Sequence, residues 1–217
     1  MPGQFENQGG AANMDPSALR RWGLSKYLSF RFSDQQVTRR RRRAEKRRRA
    51  ESRPHLVEYF HQIDDAYSHL AVQLLERFAA RYDVEVRCHL VRGPEGNNVS
   101  DTQLLLPLAR YDSALIAPQY GLSFPSSLEA PAEASTALAL SILASLDSPS
   151  LSRHLAAVSE ALWRHDMPRL RQYAHELGQA SATRVAERLA SGTERRAALK
   201  HYSGAMFYYA GEWYWGV

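Results

Sequence analysis

Cysteine is almost absent from this sequence: Cys88 is the only one in 217 residues. One cysteine excludes an internal disulfide framework and a CxxC redox pair within the chain. Also missing is any apolar run of the roughly 18 residues that a membrane-spanning helix needs. The N-terminus, MPGQFENQGGAANMDPSALRR, lacks the short apolar core of a secretory signal. These absences together point to a soluble protein of a reducing compartment, and the expected location is the cytoplasm.

Positive charge is concentrated in one place. Residues 39–53, RRRRRAEKRRRAESR, hold nine Arg and one Lys against two Glu, a balance of +8. The whole chain carries +5, so everything outside that segment sums to −3. The basicity is therefore local. An Arg run of this kind binds polyanions by counterion release, and it can equally rest on an anionic membrane surface. It contains no aromatic residues that would mark a base-stacking surface, and a solvated helix or linker is its plain structural reading. Arg, Ala, Glu and Lys form helices well, and Pro54 stops such a helix near Arg53.

The chain before the Arg run has two parts. Residues 1–15 are rich in Gly, Asn and Gln and are expected to be disordered. From Pro16 to Val37 a sparse apolar pattern (Leu19, Trp22, Leu24, Tyr27, Leu28, Phe30, Phe32) predicts one or two short helices. The N-terminal extension is thus residues 1–54, and a globular domain follows over 55–217.

That domain opens with a β-branched and aromatic strand over 55–62, a helix over 66–82 and a second strand over 84–91. A strand, helix and strand so closely spaced predict a crossover with parallel strands. RGPEGNN, residues 92–98, is a turn-rich loop, and helical pattern returns over 100–120 despite Pro107 and Pro118. From 131 to 200 nearly everything predicts helix. Breaks are expected at Asp147–Pro149, Asp166–Pro168, Gly178 and Gly192, with Ser or Asp available as caps. AMFYYAGEWYWGV then returns to strand chemistry, its two aromatic runs flanking a tight turn at Ala210-Gly211.

The order β-α-β, helical block, β-hairpin is the plan of an α/β thioredoxin-like fold with an inserted helical domain over about 100–200. A thioredoxin fold closes with a helix after its hairpin. The sequence ends at Val217 on aromatic strand residues, so the closing helix is expected to be missing and the chain truncated.

Three stretches carry a family resemblance: YFHQIDDAYSHLA (59–71), RYDSALIAPQYGLSFP (110–125) and GAMFYYAGEWYWG (204–216). They resemble, in order, the active-site turn, the helix-to-connector junction and the closing hairpin of the DsbA-like thioredoxin superfamily. The branch most similar is that of 2-hydroxychromene-2-carboxylate isomerase and kappa-class glutathione transferase. The resemblance implies an oxidoreductase or isomerase, with glutathione as the implied cosubstrate, and a small-molecule or thiol substrate. It places the nucleophile, a Cys or Ser in the family, on Asp65, and the following Pro on Ala66. It places the cis-Pro that faces the nucleophile on Ala205, with Met206 beside it as substrate-facing. Tyr67 and Ser68 keep the family's residue types, which implies a substrate- or thiol-facing helix start.

An Asp at the nucleophile position cannot perform disulfide exchange, which needs a thiolate at a helix N-terminus. As a carboxylate it would also repel a glutathione thiolate unless protonated. Cys88, on the second strand, is expected to be a small buried core residue rather than a substitute nucleophile. Asp64 or Asp65 suits the N-cap of the helix beginning near Ala66. The remaining carboxylate, His61 and Ser68 are candidates for acid–base work. A metal site at the turn would need a third ligand that the spacing does not supply. The competing functional reading is a non-catalytic binding or scaffold module on the same fold. With either reading, residues 39–53 can act as a tether to nucleic acid or anionic membrane. His154, His165 and His175 lack ligand spacing, His69 is expected in packing or solvent, and Trp213, Tyr214 and Trp215 suit hairpin pairs.

Overall fold

The computed structural model describes residues 18–94 and 102–216. The expected disorder of 1–15, and the loop residues from 95 to 98, lie outside that range. The chain divides into two compact units, one reaching Arg53 and the other beginning at Pro54. No described helix is long and apolar enough to cross a membrane.

The first unit is a helical hairpin. Helix α1 spans Ala18–Arg31 and α2 spans Asp34–Ala50. Ser33 marks the turn, its hydroxyl donating to the Phe30 carbonyl at 2.8 Å. Arg40 crosses back to donate to the Arg31 carbonyl at 2.7 Å, and its guanidinium lies 6.0 Å from the Phe32 ring centroid. The Arg run is therefore a helix, as its composition predicts, and α2 buries no residue.

The second unit is built on a four-stranded sheet. Strand β1 is Leu56–His61, β2 is Glu85–Leu90, β3 is Met206–Tyr209 and β4 is Glu212–Trp215, in the spatial order β2-β1-β3-β4. β1 and β2 are parallel, with Tyr59 opposite Cys88; β3 runs antiparallel to both β1 and β4. The hairpin turn at Ala210 and Gly211 has positive φ at both positions, 51° and 91°. This conformation matches the right-handed twist of two strands joined by two residues.

Between β1 and β2 the expected single helix is two, α3 (Ala66–Val72) and α4 (Leu75–Arg81). The break at Gln73–Leu74 coincides with a side-chain clasp. The Gln73 amide donates to the Ser123 carbonyl at 2.9 Å and accepts from the Ser123 N–H at 3.0 Å, holding the connector that follows Tyr120. Helix α5 runs Thr102–Ile116 and tightens into a 3-10 turn over Ala117–Tyr120.

The helical insert continues with α6 (Glu133–Ser145), α7 (Ser148–Trp163), α8 (Met167–Leu177) and α9 (Ala182–Ala198). Asp147, Asp166 and Ser181 cap α7, α8 and α9 through side-chain oxygens that accept from the third residue on, satisfying N–H groups the helix leaves open. The expected break at Gly192 is corrected: α9 passes straight through it to Ala198. The glycine is there for proximity. A Cβ on Gly192 would lie 2.1 Å from the Leu90 carbonyl oxygen, so only a hydrogen fits between α9 and the end of β2.

The main core lies on one sheet face, where Tyr59, Cys88 and Leu90 meet Leu143, Leu155, Leu162 and Leu170 of the insert, all buried. Each fully buried leucine contributes about 2 kcal/mol, so the insert and the sheet stabilise each other as one body. On the opposite face Phe60, Val91 and Met206 form a smaller cluster under Trp213 and Tyr208.

Candidate functional site

The turn between β1 and α3 exists because β1 ends at His61 and Asp65 starts the next helix. Asp65 has extended backbone (φ −95°, ψ 124°), and its Oδ2 accepts from the Ser68 N–H at 2.8 Å. Asp65, not Asp64, is the N-cap. Asp64 is exposed and accepts from the Gln62 amide at 3.0 Å. Burial pushes the Asp65 carboxyl above its ordinary pKa, and the bonds from Ser68 only partly offset that.

Ser68 is fully buried. Its hydroxyl oxygen accepts from the Ala205 N–H at 2.8 Å and from the Gln62 N–H at 3.3 Å, and its carbonyl accepts from the Tyr59 hydroxyl at 2.9 Å. One side chain thus joins the end of β1, the start of α3 and the segment entering β3. Ala205 adopts φ 52°, in the left-handed region that costs a non-glycine residue about 1–3 kcal/mol. Its N–H bond to Ser68, and the bond its carbonyl accepts from Gly216 at 3.1 Å, hold it there.

The preceding residue sets how closely these pieces meet. A Cβ on Gly204 would fall 2.9 Å from both Gln62 Cβ and Ser68 Oγ, and 3.3 Å from Asp65 Oδ2. The Gly204-Ala205 segment therefore lies directly against the turn. The two positions that the family resemblance assigns to nucleophile and facing loop, Asp65 and Ala205, are brought to the same turn, where Ser68 bonds to both of them.

The other candidate residues separate. His61 is completely buried, and its Nδ1 lies 3.1 Å from the Tyr59 hydroxyl rather than against either aspartate. Its Nε2 has no hydrogen-bond partner among the described residues. Burial, reinforced by His69, lowers its pKa to about 3, so the ring is neutral at ordinary pH and inaccessible as a general base. Tyr67 donates to Asp112 Oδ2 at 2.7 Å, linking α3 to α5; burial and that carboxylate raise its pKa to about 12. His69 packs against Trp163, with ring centroids 5.4 Å apart, and its Nδ1 lies 3.1 Å from Ser159 Oγ. Met206 faces the other side of the sheet with Phe60 and does not reach the turn. Cys88 is buried, and burial lifts its thiol to about pKa 11, so little thiolate forms. Among the described residues no three His, Cys, Asp or Glu side chains converge as metal ligands do.

Two features escaped the sequence reading. The first is an ion cluster on the opposite sheet face: Glu58, 5% exposed, accepts from Arg195 at 2.6 and 2.9 Å and pairs with His89 Nε2 at 3.0 Å. Burial alone would raise the Glu58 pKa, but the bonds from Arg195 and His89 win and hold it at about 2. Its signal was a lone Glu inside the apolar strand HLVEYF. The second is an apolar groove of about 610 Å³ between α4 and the sheet, lined by Val57, Phe78, Tyr82, Phe207, Tyr209 and Tyr214 among others. Its signal was weaker, since the aromatic hairpin residues have an equally good account as strand pairs.

No family model and no curated protein matches the sequence. Among solved structures, 2-hydroxychromene-2-carboxylate isomerase (HCCA isomerase) superposes with a TM-score of 0.55 at 19% identity, covering 74% of this chain and 88% of that one. A candidate protein disulfide isomerase from Nitrosomonas europaea superposes with a TM-score of 0.49 at 13% identity, over 74% of this chain and 87% of that one. The likeness to HCCA isomerase agrees with the sheet order β2-β1-β3-β4: the fold is thioredoxin-like with a helical insert.

Proposed function

We infer that this chain is a DsbA-like thioredoxin-fold protein of the oxidoreductase and isomerase architecture that works by binding rather than by thiol chemistry. The observation that carries this reading is the closed turn. Asp65, standing where a thiol or hydroxyl nucleophile would act, caps α3, and Ser68 bridges Gln62 and Ala205. The groups that would meet a thiol substrate are already bonded to one another. An opening lies elsewhere, in the apolar groove beside α4, whose volume of about 610 Å³ suits a small molecule. Its aromatic lining favours an apolar, ring-containing ligand.

A second reading has one observation in its favour. Burial raises the Asp65 pKa, and a protonated Asp65 would donate a hydrogen bond to a glutathione thiolate as a serine does. Chemical-shift mapping separates the two. With the apolar dye ANS as probe, shifts are expected at Val57, Phe78, Phe207 and Tyr214. Glutathione at millimolar concentration is expected to leave Tyr67 and Ala205 unmoved. Glutathione-induced shifts at those two residues would replace the binding reading with the isomerase one.

A further inference from the structure

The helical hairpin is the part of the molecule that the thioredoxin-type fold does not explain. Considered by itself it has almost nothing to hold it together. α2 buries no residue, and the large apolar residues of α1 and its exit stand open: Trp22 is 63% exposed, Phe30 64%, Phe32 65% and Leu19 76%. Helices of this length draw most of their stability from a covered apolar face, so the hairpin calls for a partner that covers one.

Charge says what kind. Residues 18–53 contain fourteen Arg and Lys against three Asp and Glu, a net +11. Glu45 pairs with Arg48 and Arg49, and Glu51 with Arg47 and Arg53, so both glutamates of this stretch are already engaged. The partner must therefore accept apolar side chains and supply negative charge over the same area. A nucleic acid meets the second demand. It offers bases for Trp22 or Phe30 to stack on, but nothing for Leu19, Leu24 and Leu28, which are also exposed. An anionic bilayer surface meets both: Trp, Tyr, Phe and Leu enter the headgroup–acyl boundary while Arg and Lys stay at the phosphates. Two weak signals in one hairpin reinforce each other, since neither apolar insertion nor a polybasic run alone anchors stably.

We propose that the 18–53 hairpin is a peripheral membrane anchor, with α1 inserting its aromatic and leucine side chains at the interface and the α2 arginines holding anionic lipid headgroups. The globular unit is thereby held at a lipid surface, whatever its ligand.

The test is vesicle flotation with the full chain at 0.15 M salt. Vesicles of phosphatidylcholine with 30% phosphatidylserine are compared with phosphatidylcholine alone, and a 30-bp DNA duplex serves as the competing polyanion. The protein is expected to float with the anionic vesicles and not with the neutral ones. Arg42→Gln/Arg43→Gln should weaken vesicle binding roughly 25-fold, at about fivefold per cation near the surface. Trp22→Ser/Phe30→Ser should weaken it at least about tenfold while leaving any duplex binding unchanged. All four positions are exposed, and an unchanged far-UV spectrum verifies that each variant folds. Failure to float with anionic vesicles overturns the proposal. So does undiminished vesicle binding by Trp22→Ser/Phe30→Ser, which would mean adsorption by charge alone. Tighter binding to the duplex than to the vesicles would assign the hairpin to nucleic acid instead.

Discussion

Replacing Asp65 by alanine and by asparagine asks whether its carboxylate serves chemistry or only holds the turn. In the structure its Oδ2 accepts from the buried Ser68 N–H at 2.8 Å. Alanine removes the acceptor, and loss of an N-cap of this kind costs about 1–2 kcal/mol. Asparagine keeps an acceptor oxygen in the same place and removes the charge. The charge itself is a burden, because burial holds the folded-state pKa above the ordinary carboxylate value. A group with a raised folded pKa contributes its stability below its unfolded pKa, near 3.9, and loses it as pH rises through the folded value. At pH 7 Asp65→Asn should therefore equal or exceed the parent protein in stability, and the difference should vanish as pH approaches 4. The favourable effect of a negative charge at a helix N-terminus works in the other direction, but for a seven-residue helix it is the smaller quantity. Urea denaturation followed by far-UV circular dichroism at pH 7 and pH 4 reads all three proteins. If Asp65→Asn falls as far as Asp65→Ala at pH 7, the negative charge is needed, and the account of Asp65 as a neutral-tolerant cap is wrong.

Three further outcomes follow from the same geometry. Ser68→Ala leaves the Gln62 and Ala205 N–H groups without their acceptor and should cost about 2–4 kcal/mol in urea titration, more than a surface serine ever does. Gly192→Ala should destabilise by about 1–3 kcal/mol despite alanine's better helix propensity, because its Cβ would sit 2.1 Å from the Leu90 carbonyl oxygen; a gain in stability would place α9 away from β2. The buried, neutral His61 and His69 have folded pKa values of about 3 and about 4, both below the ordinary value of 6.5. Below pH 6.5 the unfolded chain binds protons that the folded one refuses. Stability should thus fall by at most about 1.4 kcal/mol per pH unit for each ring, down to about pH 4 for His69 and about pH 3 for His61. Loss from Glu58, whose pKa is depressed, adds to this only below about pH 4.5. A flat stability curve between pH 6.5 and 5 would refute the burial of both rings.

Local chemistry made much of this protein legible from residues alone. The β-branched and aromatic runs, the Asp and Ser caps, the Ala-Gly turn and the Arg-rich helix each follow from side-chain preferences that act within a few positions of sequence. Hence the strands and most of the helices were legible in the residues themselves. What tertiary structure decided are the contacts between segments far apart in the chain. A glycine in a helical stretch reads as a break, and only the proximity of β2 shows that Gly192 is a close-approach point inside α9. A histidine beside two aspartates reads as an acid–base pair, yet the strand direction turns His61 toward Tyr59 and into the core. Ser68 reads as a substrate-facing hydroxyl, and it becomes a bridge because Ala205, 137 residues away, brings its N–H within 2.8 Å. Pattern and propensity are short-ranged, whereas burial, pairing and steric closure depend on which distant segments meet. For this chain those are the quantities that make Asp65 a helix cap and Ser68 a bridge to Ala205.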